Sequence, residues 1–190
     1  MKDILLYSKE EWQLLDYYEK EKLHTKDRKH DLSLFLPILR KAGIKYITVA
    51  YEGCGDEGEA YDCEAFLTHK HYKDRGRDHG WNRDLSDSQI DEYKRIESKN
   101  RKKLDNLQKK FNSSFDFKTR NWHGDLVDRD FNIQDILVNS IDYDWYNNEG
   151  GSGTVILNVE NETIEVDGVS FFREEQDESS VIQLKSAVKN

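Results

Sequence analysis

The clearest hydrophobic pattern of the chain is an alternation of apolar and polar side chains in its last third. Apolar side chains recur at alternate positions on both sides of a polar break, at Val155, Leu157, Val159, Ile164 and Val166. A turn centred on residues 161–162 would place Val159 opposite Ile164. Leu157 then lies opposite Val166, so that these apolar side chains share one face. The pattern predicts a half-buried β-hairpin.

An earlier segment shows the same period. Residues Ile44–Glu52 have the alternating faces of a strand, and the glycine-rich segment Gly53–Gly58 turns the chain back. Residues Glu59–Leu67 continue as the returning strand, with small or apolar side chains at alternate positions. The sequence therefore predicts another hairpin, placed about a hundred residues before the first one along the chain.

Helical spacing of apolar side chains marks four further segments, at about residues 9–24, 32–41, 86–111 and 130–141. Gly43 suits the C-cap of the second helix, and Pro37 is expected near its first turn or at a kink. Ser86 and Gln89 form a capping box at the start of the third helix. Its thin apolar stripe leaves open whether it docks on the body or projects. Residues 69–85 show no period and predict a loop.

These elements indicate the fold class. We predict an α+β domain in which the two β-hairpins join in one antiparallel sheet and helices pack on one face of it. A chain of 190 residues is long enough to bury a core, and we expect one domain over residues 1–190. Within that domain, residues 68–120 are expected to form a charged, mainly helical insertion.

Charge is distributed unevenly along the chain. The net charge is −9, yet residues 94–110 contain eight basic and two acidic side chains. The rest of the chain is therefore strongly acidic. An acidic body with one basic helix can attract cationic partners, or hold an anion on the helix, depending on which surface faces the partner.

Composition also bears on the compartment. The chain has two cysteines, Cys54 and Cys63, which are too few for a disulfide scaffold. No apolar run approaches the length of a membrane-spanning helix. The first residues also lack the basic, apolar and small-residue order of a signal peptide. We therefore expect a cytoplasmic protein that has no membrane partner.

Two glycine-rich turns carry a family resemblance. Residues 51–58 read Tyr-Glu-Gly-Cys-Gly-Asp-Glu-Gly, and residues 145–153 read Trp-Tyr-Asn-Asn-Glu-Gly-Gly-Ser-Gly. Together they resemble an uncharacterised family of small bacterial and phage-borne proteins. Members of that family have a Tyr-x-Gly-x-Gly-Asp-x-Gly turn and a Trp-x-Asn-x-Gly-x-x-Gly hairpin entry. The family has no established activity, so the resemblance implies the fold of helices and hairpins and little else.

Carboxylates in and beside these turns suggest one possible chemistry. If the hairpins are neighbours, the carboxylates could bind Mg²⁺, Mn²⁺ or Ca²⁺ through Asp56, Asp142, Asp144 and Glu149. A divalent-metal-dependent phosphoesterase is therefore one hypothesis. The more ordinary interpretation is that Asp56 caps its own turn and residues 147–149 bind local backbone groups, and we favour it.

The function that the sequence favours is binding without catalysis and without a cofactor. Its binding residues would be the acidic and aromatic side chains of the two turns, namely Asp56, Glu57, Glu59, Trp145, Tyr146, Asn147, Asn148 and Glu149. Aromatic side chains in loops often anchor interfaces. The expected partner is a protein with a basic groove. The phage-like resemblance suggests an inhibitor of a host defence or nucleic-acid-handling protein.

Two other kinds of partner differ in how well the sequence fits them. A small nucleotide between the two glycine turns and the basic helix is an open alternative, since backbone can approach a ligand closely at glycines. Direct nucleic-acid binding is disfavoured, because the chain is acidic overall and aromatic side chains do not alternate with the lysines of residues 94–110.

Overall fold

The structure, a computed structural model of the chain, describes residues 3–75, 81–146, 149–171 and 176–183. Its helices are α1 (Lys9–Gln13), α2 (Tyr17–Lys41), α3 (His69–Arg75), α4 (Asp87–Ser114) and α5 (Ile133–Val138). Its strands are β1 (Tyr46–Cys54), β2 (Glu57–Phe66), β3 (Lys118–Arg120), β4 (Leu126–Asp128), β5 (Gly151–Asn158), β6 (Thr163–Ser170) and β7 (Gln176–Gln183). The predicted α+β class is confirmed.

The N-terminal helices differ from their predicted bounds. The first predicted helix breaks after Gln13, and Asp16 then opens α2 with a capping box that includes Glu19. Helix α2 continues to Lys41, so that the polar run predicted to separate two helices is helical and Pro37 lies inside α2. At its end Ala42 is the C-cap, and Gly43, which was predicted for that position, follows it with a φ of 75° and completes a Schellman motif.

The main sheet is antiparallel, with strand order β2-β1-β5-β6-β7. The two predicted hairpins, β1–β2 and β5–β6, are joined through pairing of β1 with β5. The predicted register of the second hairpin is wrong by two residues, because Leu157 pairs with Ile164 and Val155 with Val166. A shift of two residues leaves each side chain on its face, so the prediction of a shared apolar face still holds.

One face of the sheet carries the main hydrophobic core. Ile47, Val49 and Tyr51 of β1 point to this face together with Val155 and Leu157 of β5. The helices contribute Phe35, Leu36 and Leu39 from α2, Leu104 and Phe111 from α4, and Ile136 and Leu137 from α5. Burial of Leu104 and Phe111 shows that α4 docks on the body rather than projecting from it.

Residues 69–75 form helix α3, where a loop was predicted. This helix lies against the opposite face of the sheet, since Tyr72 stacks on Tyr46 of β1 and His71 contacts Phe66 of β2. The last predicted helix is shorter than expected and covers only Ile133–Val138. Within the described part of the chain, no helix has the length and apolar character needed to cross a membrane.

Candidate functional site

The hairpin of β1 and β2 ends in a two-residue turn. Cys54 pairs with Glu57, and between them Gly55 and Asp56 have φ angles of 63° and 72°. Two successive positive φ angles are typical of a type I′ turn, whose twist matches that of the strands. The turn is therefore shorter than the predicted Gly53–Gly58 segment, and Asp56 stands at its apex.

Carboxylates cover the outer side of this hairpin. Glu52 lies directly opposite Glu59, and Glu57 follows on the same face. We call the following exposed side chains the acidic hairpin: Glu52, Asp56, Glu57, Glu59 and Asp62. Among the described residues, no basic side chain forms an ion pair with them. The hairpin therefore carries a concentrated negative charge.

A neighbouring tyrosine is affected by this charge. Burial raises the pKa of Tyr61, and the nearby carboxylates of Glu52 and Asp62 raise it further. Tyr61 lies on β2 within the acidic hairpin, and its side chain is partly exposed. The hairpin thus offers an aromatic ring among carboxylates, a combination that suits the ammonium and guanidinium groups of a cationic partner.

The two glycine-rich segments meet on the inner side of the hairpin. A Cβ atom added to Gly58 would lie 2.6 Å from the ring of Trp145 and from the Cβ of Tyr146. Gly53 lies equally close to the backbone of residues 145–146, and Gly150 lies against Gly53. These glycines allow two backbone segments and an indole ring to pack without space between them. The sequence leaves open whether the two turns meet, and in the structure they lie against each other.

The binding residues predicted from the sequence have different surroundings. Asp56, Glu57 and Glu59 are exposed on the acidic hairpin, and Glu149 is exposed beside Gly150. Tyr146 is 43% exposed, whereas Trp145 is only 9% exposed and contributes to the core. Asn147 and Asn148 lie outside the described residues.

The proposed metal ligands do not form a cluster. Asp56 lies at the hairpin apex, while Asp142, Asp144 and Glu149 belong to the segment that leads into β5. In the described ranges, no group of three or more histidine, cysteine, aspartate or glutamate side chains could hold a metal ion. The metal-dependent phosphoesterase therefore receives no support from this geometry.

The nucleotide alternative required space between the two glycine turns. That space is occupied by the chain itself, because Trp145 and Tyr146 cover Gly53 and Gly58. On the other side, the hydroxyl of Tyr51 hydrogen-bonds to that of Tyr143 beside Gly153 and Gly168. Among the described residues, these glycines therefore accommodate packing of the chain against itself.

Sequence reasoning missed an exposed aromatic surface at the start of α2. Leu14 and Tyr18 are 86% and 80% exposed, although both fall within the helix of spaced apolar side chains predicted over residues 9–24. The first helix ends at Gln13 and a new one begins after Asp16, so the helical spacing on which the prediction relied is interrupted between the two residues. Tyr17 stacks on Trp122 with ring centroids 5.3 Å apart. Trp122, which is 47% exposed, thus lies on a second exposed surface.

A buried polar cluster where α3 meets α4 was also not predicted from the sequence. His71 and Arg75 each lie within 3.4 Å of the Glu97 carboxylate, without the alignment of a hydrogen bond. Arg75 also pairs with Glu64 of β2 at 3.3 Å. Burial raises the pKa of Glu64, and the nearby Glu97 adds to this effect. No sequence period marks these side chains, which meet only through the tertiary fold.

The acidic hairpin allows a stability prediction. Replacing Glu59 by glutamine removes a like-charge contact with Glu52, which should raise the free energy of unfolding by about 0.2–1 kcal/mol. Urea denaturation at low and high salt measures the change, and the gain should shrink at high salt. Glu92→Gln, at an exposed position on α4, serves as the control. A Glu59→Gln variant less stable than the wild type would contradict the repulsion argument.

Comparison with known proteins finds no protein that is significantly similar to this chain. No protein-family model matches the chain. No curated protein and no solved structure shows significant similarity to it. The resemblance of the two glycine-rich turns to a phage-borne family therefore stays a prediction, and the function has to be inferred from the geometry of the site.

Proposed function

We propose that this chain is a non-catalytic binding protein whose acidic hairpin engages a basic groove on a protein partner. The observation that carries the proposal is the set of exposed carboxylates on one hairpin, none of which pairs with a basic side chain among the described residues. Self-repulsion of such a set is relieved when a cationic surface binds. The hairpin thus gains more from a basic partner than an evenly charged surface would.

The scaffold supports this proposal by holding the hairpin in place. Strand β1 pairs with β2 on one side and with β5 on the other up to Gly53. Trp145 and Tyr146 pack against Gly53 and Gly58 just below the turn. A recognition element that is already ordered loses little conformational entropy on binding, so more of the electrostatic attraction contributes to affinity.

A more specific version concerns grooves that normally hold phosphate backbones. An acidic hairpin placed in such a groove would occupy the positions of the phosphates and block nucleic acid. An inhibitor of a host defence or nucleic-acid-handling protein fits this description. The family resemblance of the glycine turns motivates this version, and the exposed carboxylates are compatible with it.

The proposal can be tested by measuring the affinity of the protein for a lysine oligopeptide, which serves as a model of a basic groove. Replacing Glu52, Glu57 and Glu59 by glutamine together should weaken binding at least about tenfold at low salt, which corresponds to about 1.4 kcal/mol. A control variant with the same change in net charge is Asp84→Asn, Asp91→Asn and Glu92→Gln, all at exposed positions. We expect that control to weaken binding less than about twofold.

Isothermal titration calorimetry at about 50 mM and about 500 mM salt measures both variants and the wild type. Wild-type affinity should fall steeply between these conditions, because the attraction is between exposed charges. Equal losses in the two variants would show that net charge alone drives binding and would refute a site at the hairpin. Affinity that does not change with salt would equally contradict the proposal.

A further inference from the structure

Helix α4 carries a groove lined by lysines. Its volume is about 440 Å³, and its lining residues are Lys99, Lys102, Lys103, Asn106, Leu107 and Lys110. Their spacing of three and four residues puts them along one side of the helix. Leu107 adds apolar surface, while the amide of Asn106 adds a hydrogen-bonding group. We call this feature the lysine groove.

Three of the four lysines form no ion pair with an acidic side chain in the part of the chain that the structure describes. These three, Lys99, Lys102 and Lys110, are exposed. Lys103 differs, because its ammonium group donates a hydrogen bond to the Ala42 carbonyl at the end of α2. Like charges three or four residues apart on a helix repel one another. An anionic partner that lies along this side of α4 would remove that repulsion.

The chain itself carries a feature of matching charge and shape. The acidic hairpin presents a row of carboxylates on two strands whose backbones are about 5 Å apart, so its tip is narrow enough to lie along one side of a helix. We propose that the lysine groove of one molecule binds the acidic hairpin of a second copy, head to tail. This inference rests on the proposed function, since it identifies the chain's own groove as a basic partner of the hairpin.

Such an interface has consequences for assembly. Hairpin and groove are different surfaces, so each molecule has one of each to offer and the contact is heterologous. Association can then continue from copy to copy, either into a ring or into an open chain. A hairpin bound to a second copy is also unavailable to another protein. Self-association therefore competes with the partner that the proposed function requires.

Two charge-reversal variants test this inference. The hairpin variant is Glu57→Lys with Glu59→Lys, and the groove variant is Lys99→Glu with Lys102→Glu. Lys103 stays unchanged because it binds the end of α2. Sedimentation velocity at about 50 mM salt should show wild-type association that increases with concentration and disappears at about 500 mM. Each variant alone should be monomeric.

An equimolar mixture of the two variants is the decisive measurement. The hairpin variant keeps an intact lysine groove, and the groove variant keeps an intact acidic hairpin. Neither variant can bind a second copy of itself, because its reversed surface repels its intact one. The intact hairpin of the groove variant then fits the intact groove of the hairpin variant, and the two reversed surfaces are also opposite in charge, so the mixture should associate although neither variant alone does. A matched control is Lys22→Glu with Lys29→Glu on α2, which should associate like the wild type.

The outcomes separate this inference from the proposed function. A wild type that stays monomeric at low salt, a mixture that does not associate, or association that persists in both single variants would overturn the head-to-tail contact. None of these results changes the binding of the lysine oligopeptide. Conversely, failure of the oligopeptide to distinguish the hairpin variant from its control would refute the proposed function.

Discussion

Replacing Gly150 by alanine should lower the free energy of unfolding by about 3 kcal/mol or more. Gly150 has a φ of 77°, which costs an L-residue about 1–2 kcal/mol. A Cβ at this position would also overlap the carbonyl group of Gly53, and the nearest atoms belong to backbone. Backbone within a paired strand cannot move aside, so the overlap adds to the conformational cost.

Gly43 provides a matched control for this prediction. Its φ of 75° is nearly that of Gly150, yet a Cβ added there would have no atom within 4 Å. Gly43→Ala should therefore cost only about 1–2 kcal/mol. Urea denaturation of both variants isolates the contact between the two glycine segments. Equal destabilisation of the two variants would show that Gly150 and Gly53 do not constrain each other.

Removing the guanidinium group of Arg129 is expected to cost about 3–5 kcal/mol near neutral pH. Arg129 donates to Asp27 at 2.9 Å and also binds Asp31, which is almost completely buried. Arg129→Ala would leave two carboxylates close together on α2 without a cation. Arg28→Ala is the control, because its pair with Glu21 at 3.2 Å is partly exposed and should contribute at most about 1 kcal/mol.

The cost of Arg129→Ala should depend on pH in a definite direction. Burial raises the pKa of Asp31 and of Asp27, and Arg129 opposes this rise in both. A carboxyl whose pKa is raised by folding contributes stability below its unfolded pKa and loses it as pH rises through its folded pKa. Without Arg129 the pKa of these two carboxyls in the folded state rises further, so more stability is lost as the pH rises. Urea denaturation of the wild type and of Arg129→Ala at about pH 5 and about pH 8 should show a larger difference in the free energy of unfolding at the higher pH. A difference in the free energy of unfolding that does not change with pH would contradict the role of Arg129 in opposing the rise of these pKa values.

Much of the sheet could be predicted because its signal is local. Alternation within Ile44–Glu52 and between Val155 and Val166 is set by which face each side chain occupies. The turn of the second hairpin was placed wrongly, since a period of two cannot distinguish registers that differ by two residues. Pairing of Leu157 with Ile164 depends on the longer connection that the backbone adopts between the strands.

Other features depend on contacts between distant parts of the chain. The polar segment of α2 remains helical where Asp27 and Asp31 bind Arg129, which follows β4 far along the sequence. Helix α3 has no apolar period, but Tyr72 and His71 contact the sheet. Propensity and periodicity contain no information about such partners.

The candidate site was predictable to a similar degree. Asp56, Glu57 and Glu59 could be recognised as a charged turn, since Gly55 and its neighbours favour a tight reversal. Burial of Trp145 could not, because it depends on the close approach of two glycine segments that are separated by about ninety residues. The groove on the basic side of α4 also could not be predicted, because it depends on how the side chains are arranged on the folded helix.

The order of strands in the sheet affects how the chain is synthesised. Strands β1 and β5 are neighbours, although residues 55–150 separate them in the sequence. On the ribosome, β1 can pair with β2 early, but its other edge has no strand to bind until β5 has emerged. An unpaired strand edge readily binds other chains. A nascent chain of this protein therefore exposes an unpaired strand edge while residues 55–150 are translated, and a product terminated before Gly151 would keep that edge permanently.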